Sequence, residues 1–164
     1  MDALLHTGGE PRPMAEELAR LRTIADYQFG HSAGVTLFAG DPEVHHTATG
    51  RPEQVLVGGE RLVTYGVDGR FTLGLAGGER LRAAFAAPRA RVVVGEESAP
   101  FVREGKNAFA KFVTAVDPAV RPGDEVCIVG PDDDLFGVGR AELAADAMAD
   151  FETGVAVKTR EGAD

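Results

Sequence analysis

In the stretch Arg103-Glu104-Gly105-Lys106-Asn107, a residue with no side chain is followed by two side-chain hydrogen-bond donors. A glycine lets backbone come close to a phosphate or ribose, and the ammonium and amide beside it supply donors that such groups accept. Phe109 and Lys111 continue the stretch at alternate positions, offering an aromatic ring and a second cation. The ring is either a stacking face for an unpaired base or a core residue, and Lys111 is a partner for a phosphate. The alternative for the whole corner is a capped surface turn. Lys158 and Arg160 are also two apart, so on a strand they share one side. Lys106, Lys111 and Lys158 are the only lysines of the chain, and all three fall within this set. Arg140, in Gly139-Arg140-Ala141, either joins the basic group or pairs with one of the many acids.

Other chemistries find less support. His45-His46, with His31 and His6, invite a metal, but adjacent residues of a strand face opposite sides and chelate one ion poorly, so no metal site is expected. Asp132-Asp133-Asp134 lacks the glycine and distal glutamate of a calcium loop and reads as an exposed acidic turn. Neither Ser32 nor Ser98 has the glycine-serine-glycine setting of an activated nucleophile, and the glycine pairs do not make a nucleotide phosphate loop. With no acid-base pair, the chain is expected not to be an enzyme and to need no cofactor. Cys127 lies alone in the apolar run Val126-Cys127-Ile128-Val129, which excludes an internal disulfide and reads as core.

The elements that must position these residues can be traced by periodicity. From Pro13 to Tyr27, Met14, Leu18, Leu21, Ile24 and Ala25 mark one apolar face of a helix that stops near Gly30. Val35-Thr36-Leu37-Phe38 has the content of a short strand. Three segments, Gln54–Val57, Arg61–Tyr65 and Arg70–Leu75, are separated by Gly58-Gly59 and Asp68-Gly69, which predicts an antiparallel meander. The pentapeptide Gly-Gly-Glu-Arg-Leu occurs at Gly58 and again at Gly77, as if the turn chemistry were reused, with a short helix from Glu79 to Ala87 after the second copy. Tyr27-Gln28-Phe29-Gly30 is open to three readings: packing, a partner surface or an RNA contact.

Periodicity restarts after Pro88-Arg89-Ala90, so the domain border is placed there, giving units 1–89 and 90–164. In the second unit Arg91–Val94 is a strand, and Ser98 caps a helix reaching Glu104, with Pro100 in its first turn and Gly105 as terminator. A strand carrying Phe109, Lys111 and Val113 on one face follows, then the turn Arg121-Pro122-Gly123-Asp124. Glu125–Val129, Phe136–Ala141 and Gly154–Thr159 complete the unit. Five or six short strands and one helix in this length predict a small closed or half-closed barrel, and the chain as a whole is α+β.

The chain has 164 residues, 26 acids against 17 bases and a formal net charge of -9. Of these, 11 acids and 9 bases precede Ala90, so the second unit is the more acidic. That sign opposes generic phosphate binding. A lysine-poor, acid-rich surface resembles proteins of salt-loving archaea, in which only the local charge pattern reports a ligand. No apolar run is long enough to span a bilayer, and Met1–His6 lacks the basic start and apolar core of a signal peptide, so a cytoplasmic, membrane-free protein is expected.

Four segments carry a resemblance to a known family: Phe101–Asn107, Arg121–Val126, Gly137–Ala141 and Gly154–Lys158 resemble, in that order, the PUA domain, a pseudo-barrel of pseudouridine synthases and archaeosine transglycosylases. Leu21–Gly30, followed by Gly50-Arg51 and the meander, is similar to the domain that precedes PUA in archaeal tRNA-guanine transglycosylase. The large catalytic barrel of that family, with its aspartate nucleophile and zinc site, has no counterpart here. The resemblance implies an RNA-binding protein, with tRNA as the expected partner, acting as a stand-alone module or as an accessory subunit for a tRNA-modifying enzyme. It also implies RNA contacts at Arg103, Gly105, Lys106, Asn107, Phe109 and Lys111, joined by Arg140, Lys158 and Arg160. The competing expectation is a protein-interaction module on a PUA-like scaffold that has lost its RNA site.

Overall fold

The computed structural model describes residues 11–164, with side chains from Met14 onward. Helix α1 (Pro11–Phe29) buries Leu21 and Ala25 and leaves Glu16, Arg20 and Asp26 exposed. It ends where Gly30 turns left-handed, at φ +102°. The Met1–His6 segment and His6 lie outside the described residues.

The expected strand Val35–Phe38 is instead part of a short helix, α2 (Ala33–Leu37). The Asp26 carboxylate accepts a hydrogen bond from Gly34 N at 2.7 Å, and a Cβ at Gly34 would sit 2.4 Å from Arg22 O. This close approach to α1, open only to glycine, overrides the β preference of Val35 and Thr36.

Strands β1 (Glu43–His46), β2 (Pro52–Val57), β3 (Glu60–Tyr65) and β4 (Phe71–Leu73) form an antiparallel meander in chain order. Gly58 and Gly59 both have positive φ, as a two-residue type I′ turn demands. Helix α3 (Leu75–Ala84) starts four residues before the expected Glu79 and contains the second Gly-Gly-Glu-Arg-Leu copy. The glycines of that copy serve packing: a Cβ at Gly77 would lie 2.1 Å from Leu62 O, and one at Gly78 would lie 2.5 Å from Val138 Cγ1.

The second sheet has the order β6-β10-β9-β8-β5-β7, built from β5 (Arg91–Val94), β6 (Ala108–Phe109), β7 (Val113–Val116), β8 (Glu125–Val129), β9 (Leu135–Ala141) and β10 (Val155–Gly162). Only the β5–β8 pair is parallel. Helix α4 (Ala99–Val102) enters between β5 and β6, and α5 (Ala145–Asp150) between β9 and β10. The two edge strands, β6 and β7, are joined by one 3₁₀ turn, Ala110–Phe112, so the sheet curls into a nearly closed barrel. The continuous strand expected from Phe109 to Val113 is broken by that turn, because the chain has to swing from one sheet edge to the other.

Polar groups fasten the two sheets together. Glu125 accepts from Leu73 N at 2.8 Å, and Arg160 donates both to Leu73 O at 2.9 Å and to Glu125. Glu161 takes Arg61 at 2.6 Å and Leu75 N at 3.1 Å. The end of β4, the start of β3 and the start of α3 thus each meet a charged partner from the second sheet.

Candidate nucleic-acid interface

The corner after α4 closes as its sequence predicts. Pro100 lies in the first turn, Gly105 takes φ +93°, its N–H reaches Val102 O at 2.8 Å, and Lys106 N reaches Phe101 O at 3.0 Å. Ser98 stands at the cap position, but its side chain makes no capping bond, and the helix stops at Val102, short of the expected Glu104. Nothing lies within 4 Å of where a Gly105 Cβ would be, so this glycine answers to backbone conformation and leaves open space in front of it.

Beside this corner is a pocket of about 360 Å³ lined by Ser98, Phe101, Lys106, Asn107, Phe109, Lys111 and Phe112. Phe101 and Phe109 are 55% and 44% exposed, which makes Phe109 a wall of the pocket and not a core residue. Lys106 Nζ lies 5.9 Å from the Phe101 ring centre and Lys111 Nζ 5.1 Å from that of Phe112. The ammonium groups rest on the ring faces, where the π cloud attracts them, so rings and cations form one surface. Glu104 stands at the edge, 3.8 Å from Lys106, and no carboxylate lines the pocket itself. Apolar rings flanked by cations can hold a flat, unstacked base while meeting the phosphates on either side.

Apart from Asn107, which both lines the pocket and bonds across to β10, the remaining candidate residues fall elsewhere. Asn107 Oδ1 accepts from Thr159 N at 3.1 Å, which pins the corner to β10. Lys158 is exposed on β10 opposite Arg140 of β9, so it flanks the corner without lining the pocket. Arg140 pairs with Glu142 at 3.2 Å. Arg103 donates to Ala163 O at 2.8 Å and lies 4.8 Å from the Phe136 ring centre, holding the chain end. Arg160 is occupied by Glu125 and Leu73 at the junction of the sheets. Three rings, two lysines and an amide are therefore brought together, and three arginines are not. Phe101 and Phe112 were missed as pocket walls, although their spacing around Lys106 and Lys111 was in the sequence.

His46 Nε2 lies 2.8 Å from Glu17 and His45 Nε2 3.6 Å from Glu43, so the adjacent histidines do turn to different partners. Among the described residues no group of three or more histidine, cysteine or carboxylate side chains is placed to hold a metal, and no helix is long and apolar enough to cross a membrane. Asp133, in the acidic turn, is only partly exposed, because it faces the buried Arg91.

Residues 19–88 match the family described as patch-forming domain C2 of tRNA-guanine transglycosylase, and residues 90–163 match the PUA domain. The chain is 43% identical over 156 residues to the tRNA-guanine(15) transglycosylase of Methanothermobacter thermautotrophicus, a match covering 94% of this chain and 24% of the relative. It is 47% identical over 143 residues to the Pyrococcus furiosus enzyme of the same name, covering 87% and 24%. Each alignment thus takes in only 24% of the relative's length. In three dimensions the chain is similar to a hypothetical protein of Pyrococcus horikoshii OT3, with a TM-score of 0.71 at 19% identity and 90% of each chain covered. It is also similar to a conserved PUA domain protein of Thermoplasma acidophilum, with a TM-score of 0.65 at 20% identity and 90% and 89% covered. These likenesses place the fold.

Proposed function

The chain belongs to the tRNA-guanine transglycosylase C2 family over residues 19–88 and to the PUA family over residues 90–163, and from that premise we propose that it binds tRNA without catalysing a reaction itself. It acts as a stand-alone module or as an accessory subunit of a tRNA-modifying enzyme, in the cytoplasm, with residues 1–89 and 90–164 as its two joined units. The names of the relatives support tRNA as the RNA, and the matched region supports binding apart from catalysis.

The observation that carries the reading is the pocket beside Gly105, where three phenylalanine rings and two of the three lysines meet. An unpaired base enters between Phe101, Phe109 and Phe112. Its flanking phosphates face Lys106 and Lys111, with Lys158 beside them, and the open space at Gly105 admits the ribose-phosphate chain. Shape and stacking carry more of this recognition than charge does, which suits a chain of net charge -9.

Measuring the dissociation constant for tRNA across a range of salt tests this. Two or three phosphate contacts give a log–log slope of roughly -1.4 to -2 for single-stranded RNA, so binding should persist into high salt. The change Lys106→Ala, Lys111→Ala, Lys158→Ala should weaken it. No detectable tRNA binding at low salt, with partners that stay bound after RNase treatment, would favour the protein-interaction reading instead.

A further inference from the structure

The segment Tyr27-Gln28-Phe29-Gly30 divides by role once it is folded. The Gln28 amide is consumed by one backbone unit, donating to Phe71 O and accepting from Phe71 N, both at 2.7 Å. Phe29 packs against the buried cluster that contains Leu21, Val63 and Phe71. Gly30 makes the left-handed turn in front of Arg89, which donates to Phe29 O at 3.2 Å and His31 O at 2.9 Å. Tyr27 has no such role and is 91% exposed.

Tyr27 stands on a cleft of about 510 Å³ between the end of α1 and the start of β8, a different place from the pocket beside Gly105. The carboxylates of this cleft are already engaged. Asp117 accepts from Ala90 N at 2.8 Å and Ala119 N at 2.9 Å, Asp124 accepts from Arg121 N at 2.9 Å, and Glu125 is held by Leu73 N and Arg160. The groups a ligand can meet are the Tyr27 ring, the exposed His31, and the exposed Arg70, which is held only by a long ion pair to Asp124 at 3.6 Å. A ring beside two nitrogen donors fits a nucleotide: the base stacks on the ring and the phosphate takes the donors.

We propose that this cleft is a second RNA contact, in which an unpaired nucleotide stacks on Tyr27 and presents its phosphate to Arg70 and His31. This rests on the RNA-binding reading of the first pocket and extends it. The pocket lies at β6 and the cleft at β8, with β10 and β9 between them, and the junction contacts hold both in one frame. Only a folded RNA occupies both sites, so the pair measures shape.

The chain has no tryptophan and two tyrosines, of which Tyr65 packs against Phe71 with ring centres 5.4 Å apart. In Tyr65→Phe protein, tyrosine emission therefore reports Tyr27 alone. Titration with tRNA should quench that emission at concentrations at which a trinucleotide, too short to reach both sites, does not. Tyr27→Ala or Arg70→Ala should weaken tRNA binding about tenfold and leave trinucleotide affinity unchanged, with Tyr27→Phe restoring most of the loss. Unquenched emission with full tRNA affinity in Tyr27→Ala overturns the cleft and leaves the pocket reading standing. Loss of an RNase-resistant protein partner in Tyr27→Ala, with tRNA affinity intact, assigns the cleft to protein and also overturns it. If neither RNA binds the unsubstituted protein, both readings fall together.

Discussion

Arg91 and Asp133 form a two-point ion pair: Nε donates to one carboxylate oxygen at 2.7 Å and Nη2 to the other at 2.8 Å. Arg91 is 1% exposed, and its other donors reach the carbonyls of Phe85, Arg89 and Arg82. One guanidinium thus joins α3, the segment linking the two sheets, and the β8–β9 turn. Asp133→Ala leaves a buried cation with carbonyl partners only, and the loss of stability should be about 3 kcal/mol, read from the urea midpoint. Unchanged stability would mean that water replaces the carboxylate.

The same cluster sets a pH dependence. Hydrogen bonds from Arg91 hold the Asp133 carboxyl below its ordinary range, and those from Arg82 do the same for Glu79. Both folded-state values are depressed, so the unfolded chain binds more protons as acid is added. Their contribution is present above the ordinary carboxylate range, about pH 4, and is lost as the pH falls through the folded values. The urea midpoint should fall below about pH 5, and Asp133→Asn should flatten that fall.

Arg160 and the pocket lysines should separate stability from binding. The Glu125 side chain is 4% exposed and loses its cation in Arg160→Ala, which should cost about 3 kcal/mol with little direct effect on RNA. Lys106→Ala with Lys111→Ala, both exposed, should change stability by less than about 0.5 kcal/mol and weaken tRNA binding. Parallel denaturation and binding curves decide the assignment.

Alanine at Gly77 would place a methyl group against the Leu62 carbonyl, which belongs to backbone and has little room to yield. Gly77→Ala should destabilise by about 2 kcal/mol, although alanine is the better helix former. Gly58→Ala meets open space and should cost only about 1 kcal/mol, for its positive φ. Equal losses at the two sites would contradict the packing role.

Burial above all pushes the Cys127 thiol up to about 12, and Sγ reaches Gly78 O at 3.3 Å. At pH 8 it should resist thiol reagents until the chain unfolds. Labelling followed through a urea titration should track the unfolding curve.

Much of the frame was legible along the chain because it rests on local signals. Three strands of the meander followed from two glycine-centred turns, while β1 went unmarked, and the Gly105 corner followed from proline, glycine and alternating apolar residues. The pocket was half legible: its lysines and Phe109 stood out, and Phe101 and Phe112 did not. Aromatic residues at such spacing fit a core equally well, and only the placement of α4 beside the 3₁₀ turn leaves these two at the pocket. Arg103, Arg140 and Arg160 looked equivalent to the lysines, because charge is visible in a sequence and a distant partner is not. Glu125, 35 residues before Arg160, is such a partner.

The two copies of Gly-Gly-Glu-Arg-Leu mark the division most sharply. At Gly58 the pentapeptide supplies the turn after β2 and the first three residues of β3, a strand of matching length, and the local pattern alone determines a hairpin. At Gly77 the same five residues are helical, with each glycine pressed against a neighbour, Leu62 or Val138. Local pattern determined the order of strands and turns and the family to which they belong. The tertiary structure decided the conformation of the second copy, the freedom of each cation and the outward turn of the rings, because these depend on contacts between residues far apart in the chain.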